Sequence, residues 1–233
     1  MSDEKIAVII LAAGSSSRMG GVKKEYQKLP SGLTVLETAL RSFVPLADII
    51  CITVSDKAEA LNALSPEFMD SLNQEIIFAC GGDSRRASAL NSLRALSPFT
   101  PRYVLIHDGA RPYVSVPLVK NIIAGVKKHH AVIPLLALTD TPKECEVSGE
   151  SQAVYIKRHL KRANVGIAQT PQAFRYPEIL HAHEKAALAE DEEFTDDAEV
   201  WSRFLGKVAA ISGEPVNRKI TFLEDLTDKR SKE

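Results

Sequence analysis

At 233 residues, 45% hydrophobic, 25% charged and only 6% aromatic, the chain has the length and make-up to bury a substantial core. A formal net charge of −1 supplies no overall field toward nucleic acid or an anionic membrane, so neither is expected as a partner, and any phosphate site must be built from local basic residues. Three cysteines, Cys51, Cys80 and Cys145, lie far apart without CxxC spacing, which excludes a zinc knuckle and a disulfide framework and predicts a reducing, cytoplasmic setting.

In chain order, the first apolar run, 6–13, is too short to span a bilayer. Lys5 beside Asp3 and Glu4, with a glycine turn at the run's end, does not suit a signal peptide either. The run is predicted to be a buried strand, Ile6–Leu11. Further strands are predicted at 49–54, 75–79, 103–107 and 132–136, and helices at 35–43, 86–96, 116–127, 177–188 and 196–205. Nearly continuous apolar strands alternating with amphipathic segments predict an α/β domain, 1–233, with a mostly parallel sheet and helices on both faces. Two stretches break the rhythm. Residues 139–163 are polar and basic with a possible short strand at 154–156; the stretch reads as a protruding arm or as a solvated loop. Residues 189–193 read as an acidic linker.

The first strand runs into Ala12-Ala13-Gly14-Ser15-Ser16-Ser17-Arg18-Met19-Gly20. Small residues directly after a buried strand let the backbone approach a ligand, and exposed N–H groups there cradle phosphate oxygens. In an open α/β sheet the carboxyl end of the strands is where ligands sit. The loop is neither a Walker A nor a GxGxxG. Arg18 and Lys24 add the charge needed to clamp a triphosphate and to stabilise the charge that builds on its oxygens during attack at phosphorus. After the third strand, Gly81-Gly82-Asp83-Ser84-Arg85-Arg86-Ala87-Ser88 offers a glycine pair against which a base can lie, with Ser88 adding a hydroxyl; a plain turn and helix start is the alternative. After the fourth strand comes His107-Asp108-Gly109-Ala110-Arg111-Pro112. Asp108 at a strand's carboxyl end can help hold Mg²⁺ or contact a substrate hydroxyl, and Arg111 can reach a phosphate. His107 reads as structural.

Leu-Ala-Ala-Gly-x-x-x-Arg-Met-Gly followed by Lys24-Glu25-Tyr26 resembles the signature of sugar-phosphate nucleotidyltransferases, and more narrowly of the 2-C-methyl-D-erythritol 4-phosphate cytidylyltransferase family. The family usually has glycine at the place of Ser16 and often glutamine at that of Glu25. Five further blocks occur in the family's order: the Gly81–Ser88 and His107–Pro112 segments, Asp140-Thr141 with Arg162 and Thr170-Pro171-Gln172, Thr195-Asp196-Asp197-Ala198, and Asn217-x-Lys219-x-Thr221-x-x-Glu224-Asp225-Leu226. The TDDA block reads as a threonine helix cap with acids in the first turn. The resemblance, over about residues 6–226, implies a Rossmann-like nucleotidyltransferase fold with a dimerisation arm. It implies CMP transfer from CTP to a polyol phosphate with Mg²⁺ or another divalent cation, the acceptor being 2-C-methyl-D-erythritol 4-phosphate or, alternatively, ribitol 5-phosphate. Arg18, Lys24 and Lys219 would be catalytic. Ala12, Ala13, Gly14, Gly82, Asp83 and Ser88 would bind nucleotide. Asp108, Arg111, Thr141, Arg162 and Thr170 would bind the acceptor, with Asp108 also a candidate metal ligand. Arms of this kind clasp a second subunit, which predicts a homodimer. A dinucleotide-dependent oxidoreductase and a non-catalytic nucleotide-binding protein are the rival readings.

Overall fold

The computed structural model describes residues 4–16, 19–149, 153–189 and 193–227. Its strands, in chain order, are β1 (Ile6–Leu11), β2 (Ile49–Val54), β3 (Glu75–Cys80), β4 (Tyr103–Asp108), β5 (Ala131–Ala137), β6 (Lys143–Val147), β7 (Val154–His159), β8 (Gly166–Ala168), β9 (Gln172–Arg175) and β10 (Ala209–Ser212). The helices are α1 (Val35–Arg41), α2 (Lys57–Asn62), α3 (Pro66–Asp70), α4 (Arg85–Ala95), α5 (Val116–His129), α6 (Tyr176–Leu188) and α7 (Asp197–Phe204).

One sheet runs in the order β10-β5-β9-β4-β1-β2-β3, with β8 pairing on β5. β1 pairs in parallel with both β2 and β4, β2 with β3, and β5 with β10. The exceptions are β9, which threads antiparallel between β4 and β5, and β8, which pairs antiparallel with β5. Because side chains alternate across a strand, β1 feeds two cores. Val8, Ile10 and Ala12 pack with Leu36, Leu40, Phe43, Leu118 and Ile122 under α1 and α5. Ala7 and Ile9 pack with Leu93, Ile179, Ala198 and Trp201 under α4, α6 and α7. Burial on both faces is why the strand reads as an unbroken apolar run.

The five expected strands and five expected helices are present, with ends shifted by one or two residues. Sequence periodicity missed β6, the strands β8, β9 and β10 of three or four residues each, and the one- to two-turn helices α2 and α3. β9 begins with the polar Gln172, yet its Phe174 is fully buried and stacks on Trp201 at 5.6 Å between ring centroids. Every helix start but that of α6 is capped by a side-chain oxygen, including Thr34 on α1, Ser84 on α4 and Ser115 on α5. On α7 the cap is Asp196, accepting from the Glu199 amide at 2.8 Å, and not the expected Thr195. Thr195 instead donates its own amide and hydroxyl to the Glu199 carboxylate.

In the basic stretch, β6 and β7 form a separate two-stranded antiparallel sheet, so the strand expected at 154–156 is longer than predicted and has a partner. The expected linker at 189–193 falls largely outside the described residues. Among the described residues, no helix is long and apolar enough to cross a membrane.

Candidate active site

The strand order reverses between β1 and β4, whose crossovers lead to opposite sides. At such a switch point the crevice beyond the carboxyl ends is left open. A cavity of about 390 Å³ lies there, lined by the loop after β1 (Ala13, Gly14, Ser15), the turn after β3 (Gly82, Asp83, Ser84, Arg85, with Ser88), Asp108 and Ala110 after β4, and Lys24, Glu25 and Lys219. Of the residues singled out in the sequence, the fold thus brings together Ala13, Gly14, Lys24, Gly82, Asp83, Ser88, Asp108 and Lys219. Arg18 lies outside the described residues.

Close approach of backbones makes the pocket. A Cβ on Gly81 would lie 2.4 Å from the Ala13 Cβ, and one on Gly82 would lie 2.6 Å from the Ala87 Cβ, so the glycine pair lets the turn after β3 lie against both the β1 loop and the start of α4. Ser88 Oγ accepts from the Gly82 amide at 3.0 Å and braces that turn. Lys23, passed over in the sequence, donates from Nζ to the Gly14 carbonyl at 2.9 Å and ties down the β1 loop. Ser16 sits at φ 50°, a left-handed conformation that favours glycine, and its Oγ accepts from the Lys24 amide at 3.3 Å. The neighbouring Glu25 is only 3% exposed while lining the cavity, and its Oε2 has no partner. Burial pushes the Glu25 carboxyl above its usual range, against the pull of Lys24, Lys23 and Lys219.

Asp108 is the hub of the cationic side. Its Oδ1 accepts from Arg85 Nε at 3.3 Å; its Oδ2 accepts from Lys219 Nζ at 2.9 Å and lies 3.6 Å from Arg111 Nε. Burial alone would raise the Asp108 carboxyl, but Arg85, then Lys219 and Arg111, outweigh it and hold the group well below the usual carboxylate range. Both oxygens are therefore engaged by cations. As a metal ligand Asp108 does not fit, and among the described residues no three His, Cys, Asp or Glu side chains converge on a possible metal position.

Three other residues expected at the site do not line the cavity. Ala12 is 0% exposed and donates its amide to the Thr53 carbonyl at 2.9 Å, so it packs below the loop instead of facing the cavity. Arg111 does not line the cavity: its Nη1 donates to the Asn217 carbonyl at 2.8 Å, and the Ile220 amide donates to the Ala110 carbonyl at 2.8 Å. These contacts dock the segment that carries Lys219. Thr170 is buried, and its hydroxyl is used internally. His107 Nε2 faces the Arg111 carbonyl at 3.0 Å, which can only accept, so that nitrogen carries the proton. Burial pushes His107 down to about 4, which keeps it neutral and leaves Nδ1 to accept from the Thr170 hydroxyl at 3.0 Å. Thr170 Oγ1 in turn accepts from the Asp108 amide at 3.0 Å. Thr141 and Arg162 are exposed on the arm, Arg162 bonding the Thr139 carbonyl, and neither lines this chain's cavity.

A mostly parallel sheet with a glycine- and serine-rich loop, a glycine-pair turn and two lysines at its switch point defines an α/β nucleotidyltransferase-like protein. Within that class the chain belongs to the 2-C-methyl-D-erythritol 4-phosphate cytidylyltransferase (IspD) family, whose pattern it matches over residues 6–230. It is 36% identical over 233 residues to a bifunctional IspD/IspF enzyme of Brucella anthropi, covering 97% of this chain and 55% of that protein. To the corresponding bifunctional enzyme of a Bradyrhizobium strain (BTAi1) it is 38% identical over 229 residues, covering 96% and 55%. The chain thus spans about half the length of these curated relatives. Among solved structures, the 4-diphosphocytidyl-2C-methyl-D-erythritol synthase of Anaerococcus prevotii superposes with a TM-score of 0.80 at 31% identity, covering 96% and 93% of the two chains. The 2-C-methyl-D-erythritol 4-phosphate cytidylyltransferase of Thermus thermophilus gives 0.73 at 29%, covering 95% of each.

Proposed function

We propose that this chain transfers CMP from CTP to 2-C-methyl-D-erythritol 4-phosphate and releases pyrophosphate. The observation that carries the reading is the convergence of Lys24 and Lys219 on the glycine loop and the Gly82–Ser88 turn, within one cavity at the switch point. Family membership supports the same reading.

The step is an in-line displacement. An oxygen of the acceptor's phosphate forms a bond to the α-phosphorus of CTP while the bond from that phosphorus to the bridging oxygen breaks, and pyrophosphate leaves with the electron pair. A phosphate monoester is nucleophilic near neutral pH, so no strong general base is needed. Catalysis then rests on positioning and charge stabilisation. Lys24, Lys219 and Arg18 neutralise the phosphates, Ala13 and Gly14 present backbone to them, and Gly82, Asp83 and Ser88 hold the cytosine. Mg²⁺ enters as part of the nucleotide substrate, on phosphate oxygens, and no residue of this chain is assigned to it. The acceptor's remaining contacts come from Thr141 and Arg162 on the arm of a second copy, a homodimer reading supported by the exposure of Val147, Val154, Tyr155 and Ile156 on β6 and β7. The three cysteines are free thiols, which suits action in the cytoplasm.

The test is a panel of CTP, UTP and ATP against methylerythritol phosphate, ribitol phosphate and other polyol phosphates, read by pyrophosphate release. Release with CTP and methylerythritol phosphate far above every other pair is expected; a higher kcat/KM with ribitol phosphate, or with ATP, overturns the assignment.

A further inference from the structure

α4 begins with an arginine, Arg85, and has no acid in its first turn, although the positive end of a helix dipole disfavours a cation there. What offsets this is tertiary. Arg85 Nη2 lies 2.9 Å from Asp197 Oδ2, and Arg85 Nε lies 3.3 Å from Asp108 Oδ1. Asp197 is the first residue of α7, is 0% exposed and lines no part of the cavity. Its other oxygen, Oδ1, is 3.2 Å from Nε2 of His183, itself fully buried on α6. A row of contacts thus runs from the helical layer to the cavity: His183, Asp197, Arg85, Asp108, Lys219. The TDDA block's second aspartate, which reads locally as a first-turn acid, is the inner anchor of that row.

We propose that Asp197 and Arg85 are positioning residues for cytidylyl transfer: Asp197 holds Arg85 against Asp108, and Asp108, fixed on one oxygen, holds the Lys219 ammonium at the cavity with the other. This rests on the reading of the cavity given above. A carboxylate's terminal torsion is soft, so an Asp108 tethered only by Lys219 and Arg111 is free to turn and carry the ammonium with it. Arg85, released from Asp197, is free to swing toward the same phosphates. Asp197 is itself held ionised, because Arg85 and His183 outweigh the burial that would raise it. The guanidinium fork of Arg85 spans two carboxylates on different elements, which a lysine ammonium cannot do with the same geometry.

A misplacement of about 1 Å at a reacting centre costs on the order of 10²-fold in rate. Asp197→Asn and Arg85→Gln should each lower kcat by about that factor while KM for CTP changes less than about threefold. The discriminating measurement is a double-mutant cycle with Lys219→Gln. If the three act in series, Arg85→Gln or Asp197→Asn added to Lys219→Gln should cost less than about threefold more. Losses that multiply overturn the proposal, as does an unchanged kcat, or a raised CTP KM with kcat intact, which would make Arg85 a direct nucleotide ligand. Should Asp197→Asn fail to fold, Arg85→Gln carries the same cycle. A second readout needs no turnover: acylation of Lys219 by a small amine-reactive ester, followed by mass spectrometry, should be faster in Arg85→Gln than in wild type, with the exposed Lys120 as an unchanged reference. An unchanged Lys219 rate overturns the positioning claim. Absence of pyrophosphate release by the wild type with every acceptor overturns the functional reading alone.

Discussion

A single buried histidine shows how much of this site is support and how little is contact. His107 looks from the sequence like a structural neighbour of Asp108, and its two ring nitrogens do bracket the loop that carries Asp108 and Arg111. Its folded value of about 4 lies below the usual 6.5, so the unfolded chain binds the extra proton between these limits. Stability from this group is therefore complete above about pH 6.5 and is lost as pH falls toward 4, by up to about 3 kcal/mol. Urea midpoints of the wild type should drop over that window relative to His107→Gln, which keeps a donor for the Arg111 carbonyl; parallel pH profiles would refute the account. Lys24 belongs to the contacting minority. Lys24→Ala should lower kcat by on the order of 10²–10³ with a much smaller change in CTP affinity, measured by turnover and calorimetry. A near-normal kcat in the folded variant would make Lys24 a surface charge.

Between elements, the glycine pair after β3 decides how closely that turn lies against the β1 loop and α4. Gly81→Ala puts a methyl carbon 2.4 Å from the Ala13 Cβ, so the loop must move. The expected result is a loss of about 1–3 kcal/mol in stability together with at least tenfold weaker CTP binding. Gly14→Ala meets nothing within 4 Å and has no positive φ, so its stability should match the wild type. Equal effects of the two substitutions on thermal stability would show that the close approach does not matter. The strands and longer helices around these turns were legible because each buries a face with a regular period. The four-residue β9 was not, since a strand that short carries at most two residues per face, and Phe174 alone reveals nothing of the slot between β4 and β5.

For the whole molecule, the arm is the part whose exposed side chains call for a partner. Tyr155 and Ile156 are more than half exposed on a two-stranded sheet, which has marginal stability without further packing. If two copies exchange arms, mixing inactive Lys24→Ala with inactive Arg162→Ala protein should restore activity. About half of randomly mixed dimers then hold one intact site, giving about a quarter of wild-type activity. No recovery, once subunit exchange is shown by a tagged pull-down, would place Arg162 in its own chain's site. Val154→Lys with Ile156→Lys should shift the protein to a monomer in sedimentation; an unchanged oligomer would remove the arm from the interface.

Sequence alone determined the α/β class, the placement of the glycine loop and Asp108 at strand ends, and the family resemblance. These follow from periodicity, from turn chemistry and from motif order, all of which are local along the chain. Lys24, Gly82, Ser88 and Lys219, singled out in the sequence, line the cavity for the same reason: each sits in a motif at the carboxyl end of a strand or in the segment that closes over it. Only the tertiary structure decided which of the motif residues reach the cavity. Arg111 turns to the Asn217 carbonyl, Thr170 is consumed by His107 and the Asp108 amide, and Ala12 sinks into the core. It also revealed Arg85, Lys23 and Asp197 as parts of the site's frame. Partners such as Arg85 and Asp197 lie on different elements far apart in sequence, and a buried charge takes whatever opposite charge the packing brings near. That choice is made by the fold as a whole, and no local pattern of residues encodes it.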